Sequence, residues 1–553
     1  MGRARGAIVF GVALAVRVSI VLGMNASDPL FAHPRADSIL YLERAARIAG
    51  GELMAGQVFE QGPLYPYLLA PFVRLFGPSP VLPVTLVQCV LDALTATVVG
   101  VVAARVACVP FAGLCAGLLY AVGREPAFYA SRLLAVTPLL LLLMLMLLCV
   151  ERRPFLAGIC GGLAALLWPG ALPIAAFVTF AQLRAPRRFL GAALGLGVAI
   201  APATLHNFAY ERRLVLISSH GGITFYQGNN PTAEGTYTPA GSGSDIRTQE
   251  EESRKFASRL AGRELSSGEA SRYLAGAARS WLLHNPRAAL LLLGRKLLLI
   301  YSGRETALMY SMTFERGRFA PTLGRLPVTF SLLGILAPGA LLLLAVRQRR
   351  SSARHAIDGV GPSLMSSTSV AAAGTLFTLV VVFVTTRYKM PLHPIACVWI
   401  GAAAASVPSS AGLAQLLAAV VAIPGIGLAW YDAHHVPIHL QSFCDLADIR
   451  IEEGDLASAL LEVGIAAHRR RDYPPAIERI AWLHAAAPRA PEEAMGACTA
   501  DLDPAPGALA ASAALYRARG NDALARRLGR LALASGGRDP VTRAFAAEAV
   551  APR

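Results

Sequence analysis

Long apolar runs broken by short polar segments dominate this chain. Leu133–Val150, for example, carries no charge at all. A membrane-crossing helix needs about 20 mostly apolar residues. Runs near that length recur at Ala7–Met24, Val81–Ala104, Val109–Ala121, Leu133–Val150, Phe155–Leu167, Pro169–Leu183, Phe189–Asn207, Leu326–Ala345, Ser369–Thr386, Met390–Val407 and Gly412–Trp430. The pattern predicts an all-α, polytopic transmembrane bundle of about eleven spans. The pair flanking Trp168-Pro169 is short, and a proline inside an apolar run also fits one kinked span. The first run follows Arg3 and Arg5 and lacks a clear small-residue cleavage site, so it reads as a retained signal anchor.

Arginine placement sets the direction of threading. The N-terminus, Arg105, Arg152-Arg153, Arg184–Arg188 and Arg347–Arg354 are expected on the cytoplasmic side. Alternation then puts 25–80, 123–132, 208–325, 387–389 and the C-terminal tail outside, as expected for a multi-pass protein of a cell inner membrane. Alternation also decides a hard case. Pro286–Ser302 is apolar but contains Arg295 and Lys296, and counting it as a span would move the basic Arg347–Arg354 loop outside. It is therefore expected to lie on the outer surface as an interfacial helix. Leu64–Phe76, which follows Pro63 and precedes a better span, is read the same way.

Composition sharpens this picture at three points. The net charge of +16 over 553 residues would suggest nucleic acid in a soluble protein. Here the basic residues cluster in short loops between spans, which fits orientation and attraction to anionic membrane lipids, and nucleic-acid binding is not expected. Of the eight cysteines, six lie in or beside apolar segments and none shows metal-ligand spacing. Cys444 and Cys498 lie in the tail, where a disulfide and two free buried thiols are both open. The tail, 431–553, has soluble composition and helical periodicity. Gly454-Asp455 followed by Ala459, and Gly520-Asn521 followed by Ala525, resemble the inter-helix turns of tetratricopeptide repeats. A plain helical hairpin domain is the alternative. A repeat domain would offer a concave surface to a protein partner.

The spans are poor in ionisable residues, with Arg17 and Asp92 the clear exceptions. The acidic and polar residues crowd the outer loops instead, which favours a site at the membrane surface over a mid-membrane transport path. The first outer loop, 25–80, is the richest. It carries Asp37 at the head of an amphipathic segment, Tyr41 one helical turn on, and then Glu60-Gln61-Gly62-Pro63-Leu64-Tyr65-Pro66. Asp37 could also cap that segment.

The order Asp37, Tyr41, Pro63-Leu64-Tyr65-Pro66 and Leu75-Phe76-Gly77 resembles the GT-C superfamily of polyprenyl-phosphate-sugar-dependent glycosyltransferases, which includes protein O-mannosyltransferases and lipid A aminoarabinose transferases. Two further segments agree. His206-Asn207, with Ser218 to Pro231, resembles the large-loop segment of bacterial members. Arg387-Tyr388-Lys389-Met390-Pro391-Leu392-His393-Pro394 resembles their Arg-Tyr-x-x-Pro-x-x-Pro step. There are departures. No acid stands near Val136, where many members carry a second one, with Glu125 upstream as a substitute. Leu40 stands where aminoarabinose transferases have arginine.

The resemblance implies an inverting transfer from a polyprenyl-phosphate-linked sugar donor to a protein, lipid or glycan acceptor at the extracytoplasmic face. Such a reaction needs a carboxylate base for the acceptor hydroxyl and cationic or N–H donors for the leaving phosphate. Asp37 is the expected base and Glu60 its assistant, an acceptor-positioning group, or a ligand for a divalent cation such as Mg or Mn. Tyr41, Tyr65, Arg387, Lys389, Asn229 and Asn230 are the expected substrate-binding residues. The competing readings are a transporter, a glycan polymerase or ligase, and a non-catalytic membrane scaffold.

Overall fold

Nearly every apolar run becomes a helix. A buried backbone in lipid must satisfy its own N–H and C=O groups, and a helix does so within one segment. The computed structural model describes residues 1–54, 56–240, 249–352, 360–405 and 440–455, with scattered positions beyond. The chain divides into two units, Met1–Pro437 and Ile438–Arg553. Among the described residues the fold is all-α, with one isolated bridge between Gly123 and Val328.

Among the described residues, five helices are long and apolar enough to cross a membrane: Arg3–Ser27, Val81–Ala107, Pro186–Glu211, Phe330–Gln348 and Ser363–Val381. The other described runs form shorter apolar helices: Pro110–Ala121, Val136–Cys149, Pro154–Leu167, Ala171–Phe180 and Leu392–Ala404. Pro110–Ala121 has 12 residues, so it rises only about 18 Å. Its chain continues through a short helix, Arg124–Ala130. The run around Trp168-Pro169 is two helices, because Trp168 takes an extended conformation between them (φ −146°, ψ 110°). The expected interfacial stretches are also helices, Leu64–Phe76 and Pro286–Tyr301. The span expected at Gly412–Trp430 lies outside the described residues.

Small residues let the helices touch backbone to backbone, as membrane packing favours. Gly158 and Gly162 on Pro154–Leu167 face Pro186–Glu211 so closely that a Cβ at Gly158 would fall 2.0 Å from the Ala192 carbonyl oxygen. The two intramembrane charges meet each other. Arg17 Nε donates to Asp92 Oδ2 at 2.6 Å, and its other nitrogens donate to the carbonyls of Ala121 and Tyr120. The Tyr120 hydroxyl donates to the second Asp92 oxygen at 2.7 Å. Each charge is thus paired and hydrogen-bonded, which is what makes burial tolerable.

Hydrogen bonds gather the segments expected outside at one end of the first unit. Ser27 Oγ donates to the Phe319 carbonyl, Arg132 pairs with Asp28, and Arg124 N donates to the Val328 carbonyl. Arg132 also pairs with Glu315, and its guanidinium lies over the Phe128 and Tyr310 rings.

In the second unit, helix Leu440–Glu452 ends at Gly454, whose φ of +80° suits glycine. Asp455 then accepts from Ser458 N at 3.1 Å, a capping contact. Cys444 is buried; Cys498 and the segment Leu515–Ala525 lie outside the described residues.

Candidate functional site

The site is assembled from four stretches far apart in sequence. Helix Asp37–Ala49 begins immediately after Ala36, which takes φ +52° and ψ −130°. Positive φ is strained for a residue with a Cβ, and such strain concentrates at functional positions. Asp37 is the first helical residue, not the cap, and no side-chain cap bond forms there. Its carboxylate turns inward to Arg387, whose Nη1 donates to Asp37 Oδ2 at 2.8 Å across 350 residues of chain. The two side chains are 7% and 15% exposed, so the pair is shielded but reachable.

Arg387 opens the short helix Thr386–Lys389, whose N-terminus is capped by Thr385 Oγ1 accepting from Tyr388 N. The guanidinium also lies 5.2 Å over the Tyr388 ring and donates to Met309 Sδ at 3.3 Å. Burial pulls its pKa down, but Asp37, Tyr388 and Tyr41 more than offset this and leave it above the ordinary arginine value. It is a fixed positive charge.

An aromatic wall continues from this pair. Tyr388 stacks on Trp168 (centroids 4.9 Å apart, planes 29° apart) and packs against Phe383. Trp168 reaches the site because the helix breaks there. Its indole folds back over Gly170, where a Cβ would come within 2.3 Å of the ring. On the other side Tyr41 packs edge-on against Tyr65 at 5.1 Å. Burial first, and then Asp37, raises the Tyr41 pKa, so its hydroxyl stays protonated at neutral pH. The Tyr65 hydroxyl donates to Gln88 Oε1, and Gln88 Nε2 in turn donates to the carbonyls of Ala130 and Arg132.

Glu60 sits on the neighbouring elbow. Arg44, two turns after Asp37 on the same helix, donates to Glu60 Oε2 at 3.0 Å, and Gln57 donates to Oε1 at 2.9 Å. The elbow is held by the end of Pro186–Glu211. Phe59 N donates to Asn207 Oδ1, the Phe59 ring stacks on His206 at 4.2 Å, and Ser219 N donates to the Phe59 carbonyl. Gly62 presses on the end of Pro154–Leu167, where a Cβ would lie 2.6 Å from the Leu166 and Leu167 carbonyl oxygens. This explains the glycine in Gln61-Gly62-Pro63. His220 completes the cluster. Burial lowers its pKa while Glu60 and Asp37 pull the other way.

Three expected ligands also hold the fold together. Lys389 is fully buried, and its ammonium donates to the carbonyls of Leu299, Ser302 and Arg304 at 3.0–3.3 Å. It thereby secures the end of helix Pro286–Tyr301, where carbonyls lack helical partners. Asn229 Nδ2 donates to the Phe225 and Val381 carbonyls, and its Oδ1 accepts from Lys296 Nζ. Asn230 Nδ2 donates to the Tyr226 carbonyl, while its Oδ1 accepts from Thr232 N and Oγ1. Both amides are buried. These contacts brace the fold around Lys389, Asn229 and Asn230, the residues expected from the sequence to bind substrate. Glu125 is buried as well. Its Oε1 accepts from Phe330 N and its Oε2 lies 3.7 Å from His393 Nε2; burial raises its pKa.

Sequence reasoning missed Trp168, Tyr388 and His220 as members of the site. Trp168 was visible only as a helix break, and Tyr388 and His220 only as letters within longer segments. Among the described residues, no three His, Cys, Asp or Glu side chains converge as a metal site. Asp37 faces Arg387 and Glu60 faces Arg44.

No family model matches the chain, and no curated protein matches it. Among solved structures it is similar to the archaeal oligosaccharyltransferase AglB from Archaeoglobus fulgidus in complex with an inhibitory peptide and a dolichol-phosphate, at 15% identity and a TM-score of 0.37. That alignment covers 80% of this chain and 58% of the other. It is also similar to the Archaeoglobus fulgidus oligosaccharyltransferase in complex with Zn and sulfate, at 15% identity, a TM-score of 0.38, and 80% and 55% coverage. The chain thus spans less than three-fifths of these proteins' length. Likeness at this level leaves function to be read from this chain's own residues.

Proposed function

We propose that this chain is an integral membrane glycosyltransferase of the GT-C type, taking a sugar from a polyprenyl-phosphate donor at the extracytoplasmic membrane face. The observation that carries the reading is the Asp37–Arg387 pair. It sets one carboxylate and one permanent cation side by side where helices end and loops begin. The acceptor hydroxyl attacks the anomeric carbon from the side opposite the phosphate, which inverts that centre. Asp37 takes the hydroxyl proton as the new C–O bond forms. The glycosyl–phosphate bond breaks, and its electron pair leaves with the phosphate oxygen, whose charge Arg387 offsets. Asp37 and Arg387 thus exchange partners: a phosphate drawing on the guanidinium frees the carboxylate to accept a proton.

The remaining residues follow from their places. Glu60, held by Arg44 and Gln57, is assigned to positioning the acceptor, since Arg44 sits on the same helix as Asp37. The Trp168–Tyr388 wall offers apolar ring faces to a sugar or to the first lipid units. A transporter reading is weakened by the full pairing of Arg17 and Asp92, which leaves neither charge for an ion. The acceptor is a protein, lipid or glycan, and the C-terminal unit offers a surface to a protein partner.

Asp37→Asn tests the reading. The full chain in proteoliposomes is given a panel of labelled polyprenyl-phosphate sugars and membrane acceptors. The expected loss is about 100- to 10,000-fold in transfer, the range of a removed general base. Full retained transfer by the variant rules out Asp37 as the base.

A further inference from the structure

Tyr237 belongs to the large loop 208–325 and was singled out by no motif. Its backbone is fixed by the turn before it. Gly235 takes φ +95°, and its carbonyl accepts from Val384 N at 2.8 Å. A Cβ at Gly235 would lie 3.1 Å from Leu299 Cδ1 and 3.4 Å from Lys296 Cγ, so the loop is pressed onto helix Pro286–Tyr301. The Tyr237 ring then stands edge-on to Phe383 at 5.4 Å, and Phe383 packs on Tyr388. A continuous line runs from Tyr237 through Phe383 and Tyr388 to Arg387 and Asp37.

The polar end of this side chain has no use in the fold. The Tyr237 hydroxyl is shielded from solvent and finds no hydrogen-bond partner among the described residues. A shielded, unpaired hydroxyl is destabilising and rare in folded proteins, so it calls for an explanation. Burial raises the phenol pKa, and Asp37 and Tyr388 add to the effect. The group is therefore a protonated donor at the end of the aromatic line that leads to Arg387 and Asp37. A phenol donor in line with a fixed guanidinium, joined to it through the Phe383 and Tyr388 rings, suits an anionic oxygen, because charge-assisted hydrogen bonds are the strong ones.

We infer that Tyr237 is a ligand-binding residue whose hydroxyl donates to a phosphoryl oxygen of the lipid phosphate held at Arg387. The large loop thereby contributes directly to the Asp37 site. This rests on the reading of Asp37 and Arg387 given above, and the test separates the two.

The full chain in lipid nanodiscs is titrated with a long-chain polyprenyl phosphate, with the same lipid carrying mannose, and with inorganic phosphate. Tyr237→Phe should weaken binding of both lipids about tenfold or more, the loss of a hydrogen bond to a charged group. Its unfolding midpoint should hold or rise, since only an unpaired hydroxyl is removed. Equal affinity of variant and wild type for the polyprenyl phosphate overturns the inference, as does a falling midpoint, which marks a structural hydroxyl. Weakening confined to the mannose-bearing lipid moves the contact to the sugar and also overturns it. Weakening confined to inorganic phosphate marks a free-anion site and does the same. A wild-type chain that binds neither lipid sinks the underlying reading, and this one with it.

Discussion

The Asp37–Arg387 pair makes a prediction about stability that is independent of any substrate. Two unit charges 2.8 Å apart attract by about 6 kcal/mol at an effective dielectric near 20, before the desolvation of either is subtracted. The net value of the pair is therefore small, but the penalty for orphaning one member is not. Arg387→Gln keeps length and a hydrogen-bond donor while leaving Asp37 charged and only 7% exposed. Breaking a buried pair costs roughly 3–5 kcal/mol; some exposure of Arg387 puts the expectation near the lower end, about 3 kcal/mol. Asp37→Asn should cost somewhat less, because the guanidinium retains its place over Tyr388 and its contact with Met309. The double variant Asp37→Asn/Arg387→Gln orphans no charge. It should recover most of the loss, giving a coupling of about 2 kcal/mol or more in a double-mutant cycle. Reversible unfolding in mixed micelles measures all four proteins, and transfer assays run beside it. Activity should stay lost in the double variant although stability returns. Additive stabilities would show that the pair is not coupled, and returned activity would show that it is not catalytic.

Two further predictions separate bracing residues from binding ones. Lys389→Met leaves the carbonyls of Leu299, Ser302 and Arg304 without their ammonium donor, a loss of about 3 kcal/mol at about 1 kcal/mol for each hydrogen bond. The surviving folded fraction should bind polyprenyl phosphate as wild type does; a specific loss of affinity at unchanged stability would restore Lys389 to the binding set. Lys296, buried against Asn229 and the carbonyls of Val380 and Val382, has its pKa lowered by burial from 10.5 to about 8. Above about pH 8 the folded chain has given up a proton that the unfolded chain keeps until about pH 10.5, so stability should rise with pH across that window. Lys296→Met should abolish the rise, and an identical pH profile in both proteins would refute the assignment.

The apolar runs were legible because lipid leaves the backbone few choices, and most helix ends fall within a few residues of the polar breaks. What composition cannot supply is helix length against bilayer thickness. Pro110–Ala121 and Ala171–Phe180 read as spans because their side chains are apolar, yet both are too short to cross alone. Burial inside the bundle permits that, since neighbouring helices replace the lipid they would otherwise need to span. Asp37 and Arg387 were also legible, because charged residues at the end of an apolar run stand out. Lys389 stood out for the same reason, and the fold sets its ammonium on the carbonyls of a helix end. Sequence shows that a charge is present at a boundary; it does not show whether carbonyls already occupy it.

The aromatic residues were hidden for the opposite reason. In an apolar chain a tryptophan or tyrosine raises no contrast, so only geometry distinguishes a packing ring from a wall of the site. Trp168 makes the point. A continuous helix through Trp168-Pro169 would direct the indole to one face of an ordinary span. The break instead extends the backbone at Trp168, and Gly170 gives the ring room to fold back onto Tyr388. The same break frees the end of Pro154–Leu167, and Gly62 presses against it, setting the elbow that carries Glu60. One interruption in a membrane helix thus bears both on the Trp168–Tyr388 wall and on the elbow that carries Glu60. That is why the least regular stretch among the apolar runs lies beside the site.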